Sequence, residues 1–323
     1  MAAKPAPSEH LKIEHKESRL AILVGAGASY GAGAITPYPP PLGNQLFDEL
    51  ARYYPQSWGQ LPTEYQSMLR ADFETGMDEL WNHPDLAPSR LFIDMGVYFT
   101  RFDPPYDGSD CYSQLIRGLQ LRGLVDRTVI ASLNYECVLD CTVKPLGLLL
   151  AYLGDVPPPG NIMILKPHGA CNLIPQANVY GVALVAAGGS SGFYDGGLPQ
   201  IPMSLPAVRE LYANDFALPP MMSMYTRNKH SPVGRTFLDL TRRKWREWLD
   251  TCSVILVIGA RPVLWDEHIW TPIIDSPAQV WFVGGKDTNY EELNKQLGSR
   301  LHYVGATFRD SMPALVRRLD DLT

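Results

Sequence analysis

Short apolar runs dense in Ile, Val and Leu punctuate this chain, and most of them stop abruptly at small or polar residues. They are Leu20–Val24, Thr128–Ser132, Ile162–Leu165, Val254–Ile258, Val280–Val283 and, more weakly, Leu301–Val304. A strand with one wet face alternates apolar and polar residues, so unbroken runs of this length mark strands covered on both faces of a parallel sheet. Helical spacing fills several of the intervals, at Gly43–Tyr54, Ser113–Gly123, Thr236–Asp250 and Met312–Leu322. The pattern predicts an α/β fold. Ligands of such sheets bind beyond the carboxyl ends of the strands, where strand order reverses, so the residues just after each strand carry the functional question.

The chain's 323 residues suit one large α/β domain with insertions, or one domain plus a small companion. A net charge of −6 argues against a basic nucleic-acid groove spread over the surface. Met1–Arg19 is polar and mixed in charge without the apolar core of a secretory signal, and no later run reaches membrane-spanning length. The expectation is a cytoplasmic protein with no membrane contact. Five cysteines, at 111, 137, 141, 171 and 252, form no paired C-x-x-C knuckles, so neither a metal site nor a disulfide framework is expected. Cys137 and Cys141, four apart, read as one buried helical face.

The domain reading is a polar leader over 1–18 and one α/β domain over 19–323 with two insertions. The stretch from Tyr53 to Asp110, rich in aromatics, acids and proline, predicts a small helical module over the crevice. The second insertion, 181–228, contains Ala186-Ala187-Gly188-Gly189-Ser190-Ser191-Gly192 and reads as a mobile loop, a partner-facing lid or a disordered surface insertion.

The first strand runs into Gly25-Ala26-Gly27-Ala28-Ser29, a turn of the kind that lets a pyrophosphate approach backbone amides. A dehydrogenase-type fingerprint needs a third glycine where this chain has Tyr30, so the turn alone does not separate a nucleotide site from a close-packed strand-to-helix turn. The other strand ends add Ser132-Leu133-Asn134-Tyr135-Glu136, Lys166-Pro167-His168-Gly169, Gly259-Ala260-Arg261 and Gly284-Gly285-Lys286-Asp287. In a parallel sheet these converge on one crevice.

Taken together, the blocks resemble the sirtuin-like NAD-binding family. The glycine turn is followed by Gly33, Ser132-Leu133-Asn134-Tyr135-Glu136 stands where the family has Thr-Gln-Asn-x-Asp, and His168-Gly169 comes after. The resemblance is closest to the bacterial branch found in anti-phage defence, which also has a late segment like Gly259-Ala260-Arg261-Pro262-Val263-Leu264-Trp265-Asp266-Glu267-His268-Ile269. It implies a Rossmann-like parallel sheet of sirtuin-like topology. Protein deacetylases of the family follow the glycine turn with Gly-Ile-Pro-x-Phe-Arg and carry a four-cysteine zinc module. This chain has neither, and Leu133 replaces the glutamine. The resemblance then implies hydrolysis of NAD at the nicotinamide–ribose bond by an NAD-depleting effector, controlled by a partner protein or by homo-oligomer assembly.

That reaction passes through an oxocarbenium-like ribose and needs positioning plus one modest base. Asn134 offers a donor and an acceptor without a charge to desolvate. His168, with an ordinary pKa of about 6.5, is the expected base. The expected NAD-binding residues are Gly25, Ala26, Gly27, Ser29, Gly33, Glu136, Gly259, Asp266, Gly284 and Lys286, with Ser29 alternatively a helix cap and Glu136 and Asp266 alternatively structural. The rival functions are a non-catalytic sensor of NAD or ADP-ribose, and an ADP-ribosyl transferase or deacylase. On the helix Arg235–Leu249 the tryptophans are expected in the core and the arginines on a solvated face, with no direct nucleic-acid contact.

Overall fold

The structure, a computed structural model, describes residues 19–81, 88–153, 160–176, 197–202, 204–213, 218–223, 231 and 233–323. The polar leader and the glycine-rich stretch 186–192 lie outside the described residues. The strands are β1 (Leu20–Val24), β2 (Thr128–Ser132), β3 (Leu149–Ala151), β4 (Asn161–Leu165), β5 (Val254–Ile258), β6 (Gln279–Val283) and β7 (Leu301–Gly305). They form one seven-stranded sheet in the order β3-β4-β2-β1-β5-β6-β7, parallel at every pairing. This is the Rossmann-like parallel α/β class with a helical insertion.

From β1 the chain passes to β2 beside it, on to β3 at the edge and back to β4 between these two, then crosses to the other side of β1 with β5. Strand order therefore reverses between β1 and β5. Register places the strand ends level there, since Val24 pairs with both Ser132 and Ile258, and Ile258 with Val283. The loops opening at Gly25, Leu133, Gly259 and Gly284 thus leave the sheet side by side.

The helices are α1 (Ala26–Tyr30), α2 (Gly43–Tyr53), α3 (Thr63–Ala71), α4 (Phe73–Trp81), α5 (Pro88–Phe99), α6 (Cys111–Leu121), α7 (Val138–Val143), α8 (Leu205–Ala213), α9 (Arg235–Leu249), α10 (Glu267–Asp275), α11 (Thr288–Leu297) and α12 (Phe308–Arg318). One face of the sheet, with Leu20, Ile22 and Ile130, packs on α6, α12 and the α2–α5 module. The other face, with Ala21, Leu23 and Val257, packs on α9, α10 and α11. All five residues of β1, β2 and β5 are buried, which is why their sequences read as unbroken apolar runs. No described helix is long and apolar enough to cross a membrane.

Four expectations need revision. The edge strand β3 escapes pattern reading because it has three residues and its Leu149 is exposed. In the second insertion α8 is a helix, and Met221 and Met222 are fully buried against the loop that follows β4, so this part is no loose loop. Cys137 is the N-cap residue of α7 rather than a residue of the helix, with its Sγ 3.6 Å from that of Cys171, and Cys141 is only partly buried. Arg242 is buried on α9, although Trp245 and Trp248 do enter the core as expected.

Candidate active site

The loops after β1, β5, β6 and β7 are tied to one another by backbone bonds. Gly25 N–H donates to Ile258 O at 3.0 Å, Gly27 N–H to Gly259 O at 2.9 Å, Gly259 N–H to Val283 O at 2.8 Å and Gly284 N–H to Gly305 O at 2.9 Å. A Cβ on Gly25 would stand 2.6 Å from Ala260 Cα, and one on Gly259, whose φ is +59°, would stand 2.0 Å from Ala28 N. The need for glycine here comes from loop-on-loop packing. The Gly27 amide is engaged by protein and is not turned toward a ligand.

Ser29, Asn134 and Glu136 meet directly behind this turn, all three buried. Asn134 Nδ2 donates to Gly25 O at 3.2 Å and to Ser29 Oγ at 3.0 Å. Because a carbonyl such as Gly25 O only accepts, these bonds fix which end of the amide is nitrogen. Asn134 Oδ1 is left buried without a hydrogen-bond partner. Ser29 Oγ donates to Glu136 Oε1 at 2.6 Å and takes the Tyr112 hydroxyl at 2.8 Å as a donor. Its single proton therefore goes to Glu136 and not to a phosphate. Glu136 Oε2 accepts from Val138 N at 2.5 Å, the start of α7. Glu136 is thus a support for Ser29 and a helix-start acid, without a lone oxygen facing a ribose. Burial pushes its carboxyl above the ordinary carboxylate range, against the opposing pull of Lys166 and of its own hydrogen bonds.

Below Glu136 the polar network continues. Lys166 Nζ, fully buried, lies 2.6 Å from Asp140 Oδ2 and 3.5 Å from Glu136 O. Tyr152 OH donates to Asp140 Oδ1 at 2.5 Å, and Asn172 Nδ2 donates to Tyr152 OH at 2.8 Å. Burial opposes the Lys166 charge, but the carboxylates around it prevail and hold its ammonium above the usual lysine range. Lys166 directly follows a buried strand, and a charged residue there signals a buried partner.

His168 forms a second cluster. Its Nε2 lies 2.9 Å from Asp266 Oδ2, and both side chains are fully buried. Asp266 is the N-cap residue of α10 yet makes no side-chain capping bond to that helix. It serves His168, where the sequence placed it among the NAD contacts. The buried segment 219–223 spans the two clusters: Ser223 N–H donates to His168 O at 2.9 Å, and Tyr135 OH donates to Ser223 O at 2.8 Å. Cys171 N–H donates to Tyr135 O at 2.8 Å. The helical module closes in from above, with the Phe99 ring of α5 5.7 Å from that of Tyr135.

The remaining expected contacts stand apart. Lys286 is exposed, with its ammonium 4.0 Å from the Tyr303 ring centroid on edge strand β7. Asp287 caps α11 through Asn289 N and Tyr290 N and pairs with Arg261 at 3.1 Å. Gly33, at φ +132°, lies beside Arg309 and Asp110. Asp140, Tyr112, Ser223 and Arg242 were not singled out from sequence for their places around the site, and Lys166, in the block after β4, was given no role there. Among the described residues no cluster of three or more His, Cys, Asp or Glu side chains is placed to hold a metal ion.

No protein-family model matches the chain, and no curated protein matches it. Among solved structures the chain is similar to sirtuins. One is a Sir2 structure described as the structural basis for the mechanism and regulation of Sir2 enzymes, at 13% identity and a TM-score of 0.49, with 95% of each chain covered. Others are Sir2 with a p53 peptide and NAD+, at 13% identity and a TM-score of 0.43, and Sir2 bound to an acetylated peptide, at 12% and 0.44, each with 94% of both chains covered.

Proposed function

We propose that this chain is an NAD glycohydrolase that cleaves NAD to nicotinamide and ADP-ribose. The observation that carries the reading is the Asn134 carboxamide. It is held by two donor bonds against the loop after β1, next to the point where strand order reverses, and its oxygen is buried without a partner. Leaving a buried acceptor unsatisfied costs about 1–3 kcal/mol, and a ribose hydroxyl or the attacking water supplies the missing donor.

In this reading the nicotinamide leaves with the bonding electron pair, neutralising its ring, while positive charge develops on the ribose. Asn134 Oδ1 orients a hydroxyl or water at the anomeric carbon. His168 donates Nε2–H to Asp266, so the neutral ring keeps its basic lone pair on Nδ1, which takes the proton from the water. Water, NAD and the base account for nicotinamide, ADP-ribose and one proton. The Gly25–Gly27 turn, Ser29 and Gly259 shape the wall of the site, and Glu136 with Lys166 holds Ser29 and hence Asn134 in place.

Asn134 is 7% exposed and His168 0%, so turnover on this reading includes an opening of the crevice. That closure fits an effector held in check by a partner protein or by assembly of copies, as in the anti-phage branch the sequence resembles. It equally favours a second reading, a non-catalytic sensor of NAD or ADP-ribose. Chromatographic quantitation of nicotinamide and ADP-ribose after incubation with NAD separates the two. Release that Asn134→Ala and His168→Ala both abolish supports the hydrolase, whereas calorimetric binding of NAD without release by the chain alone or in its native assembly supports the sensor.

A further inference from the structure

One buried cation of the described structure has no part in the reaction just outlined. Arg242 sits on α9 four residues after Leu238 and three before Trp245, both buried, and is itself 9% exposed. Its Nε donates to Pro167 O at 3.0 Å, its Nη2 to Ser223 Oγ at 3.0 Å and its Nη1 to Asp239 Oδ1 at 3.0 Å. The first bond holds the backbone just before one imidazole, and the second holds the hydroxyl of a residue that bonds the backbone of that same histidine. Pro167 directly precedes His168, and Ser223, whose hydroxyl Arg242 holds, donates its own N–H to the His168 carbonyl.

Ser223 is a three-way node. Its N–H goes to the His168 loop, its hydroxyl to α9 and its carbonyl to Tyr135, the neighbour of Asn134. The guanidinium presents Nε and Nη2 to these two acceptors in a fixed planar fork, a geometry that a lysine ammonium on its flexible stem does not reproduce. Burial lowers the Arg242 pKa from its ordinary value, opposed by the electrostatic pull of Asp239 and Asp266.

We propose that Arg242 is a positioning residue for His168, clamping the loop that carries the imidazole through Pro167 and Ser223 and setting that loop against the one that carries Asn134. The role rests on the hydrolase reading for its catalytic consequence, but its structural content is independent of it.

The test compares the full-length chain with Arg242→Met, Arg242→Lys, Ser223→Ala and, as an exposed control on the same helix, Arg243→Met. Two readouts are taken: kcat and KM for nicotinamide release from NAD, and the 15N shifts of the His168 ring in the ligand-free chain, assigned with His168→Gln. Arg242→Met is expected to lower kcat by about 10- to 100-fold while KM moves by less than about threefold, because misplacing a reacting group costs rate more than binding. The His168 ring shifts are expected to move in the same variant. Arg242→Lys restores neither readout fully, Ser223→Ala moves both less, and Arg243→Met moves neither. A folded Arg242→Met with unchanged ring shifts and kcat overturns the proposal. If Arg242→Met does not fold, Ser223→Ala decides by the same two readouts. If the wild-type chain releases no nicotinamide, the hydrolase reading fails separately, and the ring shifts of the ligand-free variants still support or overturn the clamp.

Discussion

His168 Nε2 and Asp266 Oδ2 lie 2.9 Å apart across 98 residues of sequence, and neither side chain reaches solvent. An aspartate at a helix N-cap ordinarily bonds an amide of its own first turn. Asp266 makes no such bond and meets an imidazole from another loop instead. A carboxylate that accepts from Nε2–H selects the Nε2-protonated tautomer of the neutral ring.

Asp266→Asn reverses that arrangement, because the carboxamide can donate to Nε2 and drive the proton onto Nδ1. The fold should survive, since size and hydrogen bonding are kept. Nicotinamide release should fall by about 10²-fold or more, with NAD affinity nearly unchanged. Steady-state kinetics beside calorimetric binding would check this, and wild-type kcat in Asp266→Asn would make the pair purely structural.

Asn134 is tested by separating its two functions. Asn134→Asp keeps acceptor oxygens but removes both donors and brings a buried charge toward Gly25 O, while Asn134→Ala removes everything beyond Cβ. Both should abolish release. Asn134→Ala should also lower stability by about 1–3 kcal/mol through the lost bonds to Gly25 O and Ser29 Oγ, as read from urea unfolding. Full activity in either variant would remove Asn134 from the reaction.

Lys166 offers a pH-dependent prediction. Lys166→Met leaves the carboxylates of Asp140 and Glu136 buried without their cation and should cost about 3–5 kcal/mol near neutral pH. Glu136 already has its pKa raised by burial above the ordinary 4.5, so its share of stability is complete below that value and is lost as pH rises through the folded value. Removing Lys166 raises the folded value further. The deficit of Lys166→Met should therefore be largest at neutral pH and shrink as pH falls toward 4.5, and Asp140→Asn in the same chain should recover part of it. A deficit independent of pH would mean that lost packing, not charge, is responsible.

Where burial is two-sided, residue pattern and structure coincide. The runs at Leu20–Val24, Thr128–Ser132 and Val254–Ile258 are strands in full, and the sheet they build delivers Asn134 and His168 to adjacent loops. The pairing of His168 with Asp266 was not legible, because nothing in a sequence tells an N-cap aspartate which way to turn. Arg242 departs from the solvated-face expectation for a different reason: its spacing from Leu238 and Trp245 puts it on the buried stripe of α9, where its charge is held by Pro167 O, Ser223 and Asp239. The buried segment 221–223 lay hidden in a stretch whose prolines and glycines resemble a loose loop, since a strap held by backbone bonds to a neighbouring loop leaves no periodicity.

The packing of the β1 loop on the β5 loop gives the last prediction. Gly259 adopts φ +59°, and a Cβ there would fall 2.0 Å from Ala28 N and 2.4 Å from Gly27 C. The neighbours are main chain on both counts, so no rotamer change can relieve the overlap. A left-handed backbone costs a non-glycine residue about 1–2 kcal/mol, and overpacking adds about 1–3 kcal/mol. Gly259→Ala should therefore lose about 3 kcal/mol in urea unfolding or push the Gly25–Ser29 turn out of place. Gly285, in the loop after β6, meets nothing within 4 Å of its added Cβ, so Gly285→Ala should stay within about 0.5 kcal/mol of the parent chain. The Gly259 variant should lose NAD binding along with stability, because the turn it displaces carries Gly25 O and Ser29, the two anchors of Asn134. Equal stabilities for the two alanine variants would show that the β1 and β5 loops do not pack as described.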